Sequence, residues 1–326
     1  MSIQKKRQPA QTMIDIQQLT HLYPRRHQPP YRALADCTLA IAANTLFTLT
    51  GPNGSGKSTL FRILCGLARP SAGTVTLSGV DCLRNPTAAR RLLGVVFQHP
   101  ALDKQLSILE NLRIHAALHG IDAATFRQRL AADLAWAGLE MRLHERVATL
   151  SGGLARRVEL VKALLHRPPI VLMDEPTNGL DPGGRRDFFD ALLRLRREQS
   201  LTILMTSHLF DEAEQADQVG ILHQGRLLTT GTPAALRSQL GRDMVVIQTR
   251  QTTEASALRA ILSARPGIRM VQREQELRIT GIDPDTLQQL LFQHREQFES
   301  LVIHHPTLED VFIHHTSPSQ AIEVLS

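Results

Sequence analysis

The sequence predicts an α/β fold, a largely parallel sheet covered by helices, followed by a small α+β domain. Three observations carry that prediction. A glycine-rich run, Gly51-Pro52-Asn53-Gly54-Ser55-Gly56-Lys57-Ser58, stands between a short apolar strand and a helical segment. Several apolar runs end in polar residues and lead into helical stretches, as parallel strands do when their site lies at the carboxyl edge. Residues 241–316 then alternate short strands and short helices.

The elements follow in order. Residues 1–12 are polar and read as a loose tail, and an apolar core runs from Ile14 to about Gly231. Residues 25–30, after Tyr23 and Pro24, read as an insert. The apolar run at 41–49, which includes Asn44, reads as a buried strand, with 47–50 entering the glycine-rich turn. A helix is expected at 57–66, strands at 74–78 and 93–97, and mostly helix over 108–143, where Leu112, Ala116, Leu130, Leu134 and Leu139 supply apolar positions. A further helix at 153–165 precedes strands at 170–173, 201–205 and 219–222. A turn at Gly231, Thr232 and Pro233 opens a connecting helix within 232–240. Beyond it come strands at 245–249, 277–280 and 301–304, helices at 255–262 and 284–294, and a closing segment at 307–314. Residues 317–326 read as a second loose tail.

Composition bounds the function. The 326 residues suffice for one large domain and a smaller one. Apolar residues make up 42% and charged residues 21%, an ordinary globular balance. No apolar run approaches the roughly 18 residues of a membrane-spanning helix, and none follows Lys5, Lys6 and Arg7 to make a secretory signal. Cys37, Cys65 and Cys82 lack metal-ligand spacing and read as reduced structural thiols of a cytosolic protein. Net charge is +6, mostly arginine, since only five lysines occur. That excess suits nucleotide phosphates, nucleic acid or an anionic membrane. The charges are scattered, however: Arg156 and Arg157, Arg185 and Arg186, and Arg194, Arg196 and Arg197 read as solvated helix faces. Aromatic residues at 4% argue against base-stacking platforms, so no direct nucleic acid partner is expected. His304, His305, His314 and His315 read as surface or edge side chains, because strand neighbours face opposite ways and no HExxH pattern supports a metal.

The glycine-rich run has the chemistry of a phosphate-binding loop. Its backbone must curl until successive N–H groups point at one polyphosphate, and side chains in the turn would fill that space. The helix N-terminus adds partial positive charge. Lys57 supplies a cation for β- and γ-phosphates, Ser58 a hydroxyl for Mg2+, and Thr59 a donor to a nearer phosphate. Asp174, ending the apolar strand at 170–173, is placed to order Mg2+, and Glu175 to polarise an attacking water.

With Gln98 after the strand at 93–97, the stretch Leu150-Ser151-Gly152-Gly153, the run Asp174-Glu175-Pro176-Thr177-Asn178-Gly179-Leu180-Asp181 and the later His208, the order and spacing resemble the nucleotide-binding subunits of ATP-binding cassette (ABC) transporters from residue 23 to about 231. The resemblance implies an α/β P-loop NTPase of the ABC ATPase type over 13–231, with a helical subdomain at about 99–165. It implies ATP and Mg2+ as cofactors. Gln98 would contact Mg2+ and the water and report the γ-phosphate to the helical subdomain. Leu150, Ser151, Gly152 and Gly153 form the signature that meets nucleotide held by the opposite subunit. Asp181 would couple the two sites, His208 would hold the γ-phosphate and the Glu175 geometry, and Tyr23 would stack on adenine. Two departures are Leu154, where the family often has Gln, and Asn44, at a turn where Gly is frequent.

The run Pro306-Thr307-Leu308-Glu309-Asp310-Val311-Phe312 resembles the closing motif of bacterial ABC-2-type exporter ATPases for multidrug, antibiotic or polysaccharide efflux. Leu308, Val311 and Phe312 are also expected to close the C-terminal domain, with Glu309 and Asp310 exposed. The expected function is that of a transport ATPase. Two copies would close head to tail around two ATP–Mg2+ ligands, on the inner face of the cell membrane, beside a separately encoded multispanning permease. The permease is expected near Gln98 and residues 99–125, with Leu102, Leu106, Ile108 and Leu109 at the joint, and Arg127 and Arg129 as solvated charges. The C-terminal domain would stabilise the dimer or regulate its opening. Two other readings stand: an ABC-type ATPase of translation or DNA maintenance, against which a single phosphate loop and no heptad region argue, and a regulatory module that binds nucleotide without turnover.

Overall fold

The computed structural model describes residues 11–263 and 265–316. The tails expected at 1–12 and 317–326 lie almost wholly outside that range, and Thr12 is already in a strand. Strands β1 (Thr12–Arg25) and β2 (Gln28–Ala42) form an antiparallel hairpin that pairs Tyr23 with Tyr31 and Arg25 with Gln28. The expected insert at 25–30 is therefore the turn of a hairpin and the start of its return strand. Between β2 and β3 (Leu46–Thr50), Asn44 takes a left-handed φ of 56°. The apolar run at 41–49 is thus two strands rather than one, because Asn tolerates the conformation that reverses the chain.

Helix α1 (Lys57–Leu64), β4 (Ala72–Leu77), β5 (Val80–Asp81), α2 (Pro86–Arg91) and β6 (Leu93–Val96) follow. The helical stretch at 108–143 resolves into α3 (Ile108–Leu118) and α4 (Ala123–Ala137), and the helix expected at 153–165 is α5 (Gly152–Leu164). Each starts at a side chain that accepts from first-turn N–H groups: Ser107, in a capping box with Glu110, then Asp122 and Ser151. Then come β7 (Ile170–Asp174), α6 (Pro182–Gln199), β8 (Thr202–Ser207), α7 (Phe210–Ala213), β9 (Gln218–His223), β10 (Arg226–Gly231) and α8 (Pro233–Ser238).

The central sheet has the order β10-β9-β3-β8-β7-β6 and is parallel except for β10. Its register sets Thr50 beside Ser207 and Asp174 beside Thr206. The carboxyl ends of β3, β7 and β8 therefore open at one edge, which is where a ligand binds in such sheets. Alternation along the strands divides two cores. Phe47, Leu172, Leu204 and Leu222 face α1 and a second sheet, β2-β1-β4-β5. Leu46, Val171, Ile203 and Ile221 face Phe188, Phe189 and Leu192 of α6. A third core, including Ile108, Leu112, Leu130, Leu134 and Val158, lies within α3, α4 and α5.

The C-terminal part contains β11 (Met244–Thr249), α9 (Thr252–Ser263), β12 (Arg269–Arg273), β13 (Glu276–Thr280), α10 (Pro284–His294) and β14 (Phe298–His304). Its antiparallel sheet, β12-β13-β11-β14, covers a core built on Val245, Ile247, Leu258, Leu277, Ile279 and Leu290. Strand β12 is unexpected from sequence, since only Met270 and Val271 are apolar between Arg269, Gln272 and Arg273.

The last helix, α11 (Leu308–Thr316), corrects a second expectation. Leu308 and Val311 enter the α6-side core with Ala213, Leu236 and Leu240, and the Phe312 ring lies 5.6 Å from that of Phe210. The helix folds back on the first domain through these apolar residues, while Asp310 holds it to the C-terminal sheet. Asp310, expected on the surface, is 2% exposed, pairs with Arg278, and accepts from the Thr307 N–H and hydroxyl at 2.8 Å. Among the described residues no helix is long and apolar enough to cross a membrane.

Candidate active site

The glycine-rich loop joins β3 to α1, and close approach explains two of its glycines. A Cβ on Gly51 would lie 2.1 Å from the Leu222 carbonyl oxygen, and one on Gly56, at φ 111°, would lie 2.5 Å from that of Ala33. Gly56 is also the N-cap of α1 and offers no side-chain acceptor, so the first-turn N–H groups are left for an anion. Lys57 is buried, and its Nζ donates to the Gly51 carbonyl at 2.6 Å and the Pro52 carbonyl at 3.1 Å. Burial pulls its pKa below the usual lysine range, while the carboxylates of Glu175 and Asp174 pull the other way. Pro52, Asn53, Gly54 and Ser58 are exposed, and Ser55 is buried with an unpartnered hydroxyl. Thr59 is half-buried, its Oγ1 3.4 Å from the Tyr23 hydroxyl.

The two carboxylates stand across from β8. Thr206 donates its hydroxyl to Asp174 Oδ1 at 2.6 Å and accepts the Glu175 N–H at 3.0 Å. Burial raises the Asp174 pKa, against the lowering effect of that hydroxyl; Glu175 adds to the rise and Lys57 opposes it. Glu175 has a left-handed φ of 43°, a strained backbone for a residue of its kind. Two partners converge on its Oε2: the Gln98 amide nitrogen at 3.2 Å and His208 Nδ1 at 3.3 Å. Beneath them, buried Glu212 accepts from the hydroxyls of Ser207, at 2.6 Å, and Thr177. That contact fastens the turn after Glu175 to the turn before His208.

Ser151 and Asp181 are exposed and cap α5 and α6, accepting from Leu154 N–H at 3.4 Å and Gly184 N–H at 3.3 Å. Leu150 is half-buried against the helical core. A Cβ on Gly152 would meet nothing within 4 Å, and one on Gly153 only Leu180 at 4.0 Å, so open space lies before this helix end. Within one chain, Gln98, Glu175 and His208 thus meet, with Asp174 held beside them through Thr206. Among the described residues no hydrogen bond joins Ser151 or Asp181 to that group.

Some site residues were missed in the sequence. Arg156, expected on a solvated face, is 3% exposed; its guanidinium pairs with buried Glu159 at 2.7 Å and donates to the carbonyls of Phe97 and Gln98. A glutamate three residues after an arginine was the available signal. Tyr31 donates to the Gly54 carbonyl at 3.4 Å under the Arg25 guanidinium, so both tyrosines of the chain flank the loop. Of the residues expected at the joint, Leu102 and Ile108 are buried in the helical core, and Leu106 and Leu109 are half-buried beside them. Arg129 is half-buried and donates to the Leu165 carbonyl at 2.9 Å rather than standing in solvent. His305 is exposed, whereas His304, His314 and His315 are half-buried.

Residues 34–178 match the family model described as ABC transporter. The chain is 31% identical over 311 residues to the daunorubicin resistance ATP-binding protein DrrA3 of Streptomyces coeruleorubidus, covering 90% of this chain and 93% of that protein. It is 34% identical over 281 residues to the Nod factor export ATP-binding protein I of Rhizobium johnstonii (strain DSM 114642 / LMG 32736 / 3841), covering 85% and 88%. Among solved structures, an ATP binding subunit of an ABC transporter matches with a TM-score of 0.63 and 30% identity, over 71% of this chain and 94% of that one. The ATP-binding cassette MJ0796, in a dimeric post-hydrolysis state bound to ADP and Pi, matches with a TM-score of 0.61 and 28% identity, over 68% and 98%.

Proposed function

Because the chain belongs to the ABC transporter family of ATP-binding proteins, we propose that it is the ATP-hydrolysing subunit of an exporter whose membrane-crossing part is a separate permease. The observation that carries the reading is the meeting of Gln98 and His208 on one oxygen of Glu175, beside Asp174 and the loop of Lys57. A carboxylate so held accepts a proton from water as the water attacks phosphorus, and catalysis otherwise comes from position and charge. Lys57 and the uncapped start of α1 bind the β- and γ-phosphates. Tyr23, half-buried beside Thr59, offers its ring to adenine, with Tyr31 across the hairpin. Ser58, Asp174 and the side-chain amide oxygen of Gln98 form the oxygen-only donor set that Mg2+ favours. Bound there, the ion would neutralise charge on the phosphates.

The second half of each site comes from a second copy, head to tail. The open space before Gly152 and Gly153 leaves room for a γ-phosphate held by the partner, and exposed Asp181 is free of burial to reach across. The permease docks on the helical subdomain, at the inner face of the membrane. Ile114 and Leu118, one turn apart on α3, are 50% and 80% exposed and offer it apolar contacts beyond the joint at Leu102, Leu106, Ile108 and Leu109.

Separate measurements of ATP binding and phosphate release test the reading. Glu175→Gln should keep ATP binding and lower phosphate release by about 10²–10⁴-fold; unimpaired release would remove Glu175 from the chemistry. Purification of the native protein in mild detergent should recover a multispanning membrane protein that changes its turnover. Recovery of ribosomes or DNA-processing proteins instead would overturn the transport assignment.

A further inference from the structure

At the sheet edge opposite Asp174, three histidines come together. His115 lies in the last turn of α3, His119 caps that helix one turn later, and His166 follows α5. One ring nitrogen from each lies within 4.8 Å of the others, and theirs is the one such cluster of potential metal ligands among the described residues. The rings of His119 and His166 are stacked with centroids 3.9 Å apart, and the His115 ring is 4.6 Å from that of His119. His166 Nε2 lies 3.0 Å from the carbonyl oxygen of Leu93, the first residue of β6. That contact makes Nε2 the N–H and leaves Nδ1 with a lone pair, as a carbonyl does for a metal-binding imidazole. Nδ1 of His166 and Nε2 of His115 are buried without a hydrogen-bond partner.

We propose that His115, His119 and His166 form a transition-metal site of the zinc class, closed on three sides by imidazole nitrogens and open on the fourth. Three neutral nitrogens without a carboxylate suit zinc, nickel or copper and reject magnesium or calcium. The open side is the cleft lined by Arg90, Arg91, Gly120 and His119. Zinc–nitrogen bonds of about 2.0–2.1 Å in a tetrahedron set the nitrogens roughly 3.4 Å apart, so the stacked rings of His119 and His166 must turn out of their parallel planes to converge on one ion, with exposed His119 the ring that moves. Burial holds the pKa of His115 down to about 3 and that of His166 to about 4, so both rings are deprotonated at neutral pH. Lys162, close to His115, and Arg129, close to His166, disfavour added positive charge and set the affinity below that of a site with an acidic ligand. The bound ion would staple the end of α3 to the end of α5 and the start of β6, joining the helical subdomain to the sheet.

The test uses the full chain, purified without a histidine tag and stripped by chelator, titrated with ZnCl2 by calorimetry and with CoCl2 by visible absorption. One equivalent should bind, with cobalt bands of a nitrogen-rich four-coordinate site and a rise in Tm. His119→Ala, at the exposed member, and His166→Gln should each weaken binding by about 10–100-fold or more, with unchanged circular dichroism. His305→Ala, on the far exposed strand end, should leave the equivalent in place. Zinc bound equally well by the His119→Ala/His166→Gln double variant, or no binding by the folded wild-type chain at micromolar zinc, would overturn the proposal.

Discussion

Arg156 and Glu159 sit where a helix surface was expected, and their burial makes each dependent on the other. Burial pushes the guanidinium down and the carboxyl up in pKa, and the pair resists both shifts. Losing one member of a buried pair costs about 3–5 kcal/mol, since the other charge stays dehydrated and alone. Arg156→Ala should therefore lower the unfolding free energy by that order in urea. Because the same guanidinium holds the Gln98 carbonyl, phosphate release should fall further than ATP binding. The cysteines make the opposite case. Burial pushes Cys65 up to about 12 and Cys37 and Cys82 to about 11. At pH 8 the folded chain should hold almost no thiolate, so iodoacetamide labelling followed by mass spectrometry should be slow until denaturant is added. The lack of ligand spacing already marked these thiols as structural in the sequence. Arg156 looked like any other surface arginine, because burial is not a local property.

Helix α11 shows the same limit for an element. Its apolar positions, Leu308, Val311 and Phe312, are legible at helical spacing, but the core they enter is decided by where β14 delivers the chain. Leu308→Ala should cost about 2–5 kcal/mol of stability. The loss should appear in the nucleotide-binding part, as a lower Tm with and without ATP, because Leu308 packs with Ala213, Leu236 and Leu240. Leu290→Ala, within the C-terminal core, should loosen that part and leave ATP-dependent stabilisation intact. Equal effects of the two substitutions would show that α11 is not the clasp between the parts. The long hairpin was hidden for a different reason. Pro24, Pro29 and Pro30 resemble loop punctuation, yet they sit at its outer end, where missing N–H groups are tolerated.

At the scale of the molecule, the head-to-tail dimer proposed above makes the exposed Ser151 and the Glu175 cluster two halves of a site that one chain does not close. With ATP, Glu175→Gln should shift the protein from monomer to dimer in light scattering, because slowed hydrolysis preserves the closed state. Adding Ser151→Arg should block that shift without disturbing the monomer, since open space lies beside this helix end. A dimer that persisted in the double variant would place the interface elsewhere. Helix α11, with Met244 of β11, ties the C-terminal sheet to the nucleotide-binding part.

By itself the sequence determined the α/β class, the phosphate loop and the acidic pair, because each is written in adjacent residues. Glycines that permit close approach, a lysine at the start of a helix and a carboxylate at a strand end are local devices. It determined the family as well, through the order of Gln98, Ser151, Asp174 and His208. Only the tertiary structure decided which distant groups meet. Parallel register put Thr206 beside Asp174, the return of α11 buried Asp310 against Arg278, and the ends of α3 and α5 brought His115, His119 and His166 together. Such encounters depend on chain geometry between residues tens of positions apart, and no spacing along the chain records it.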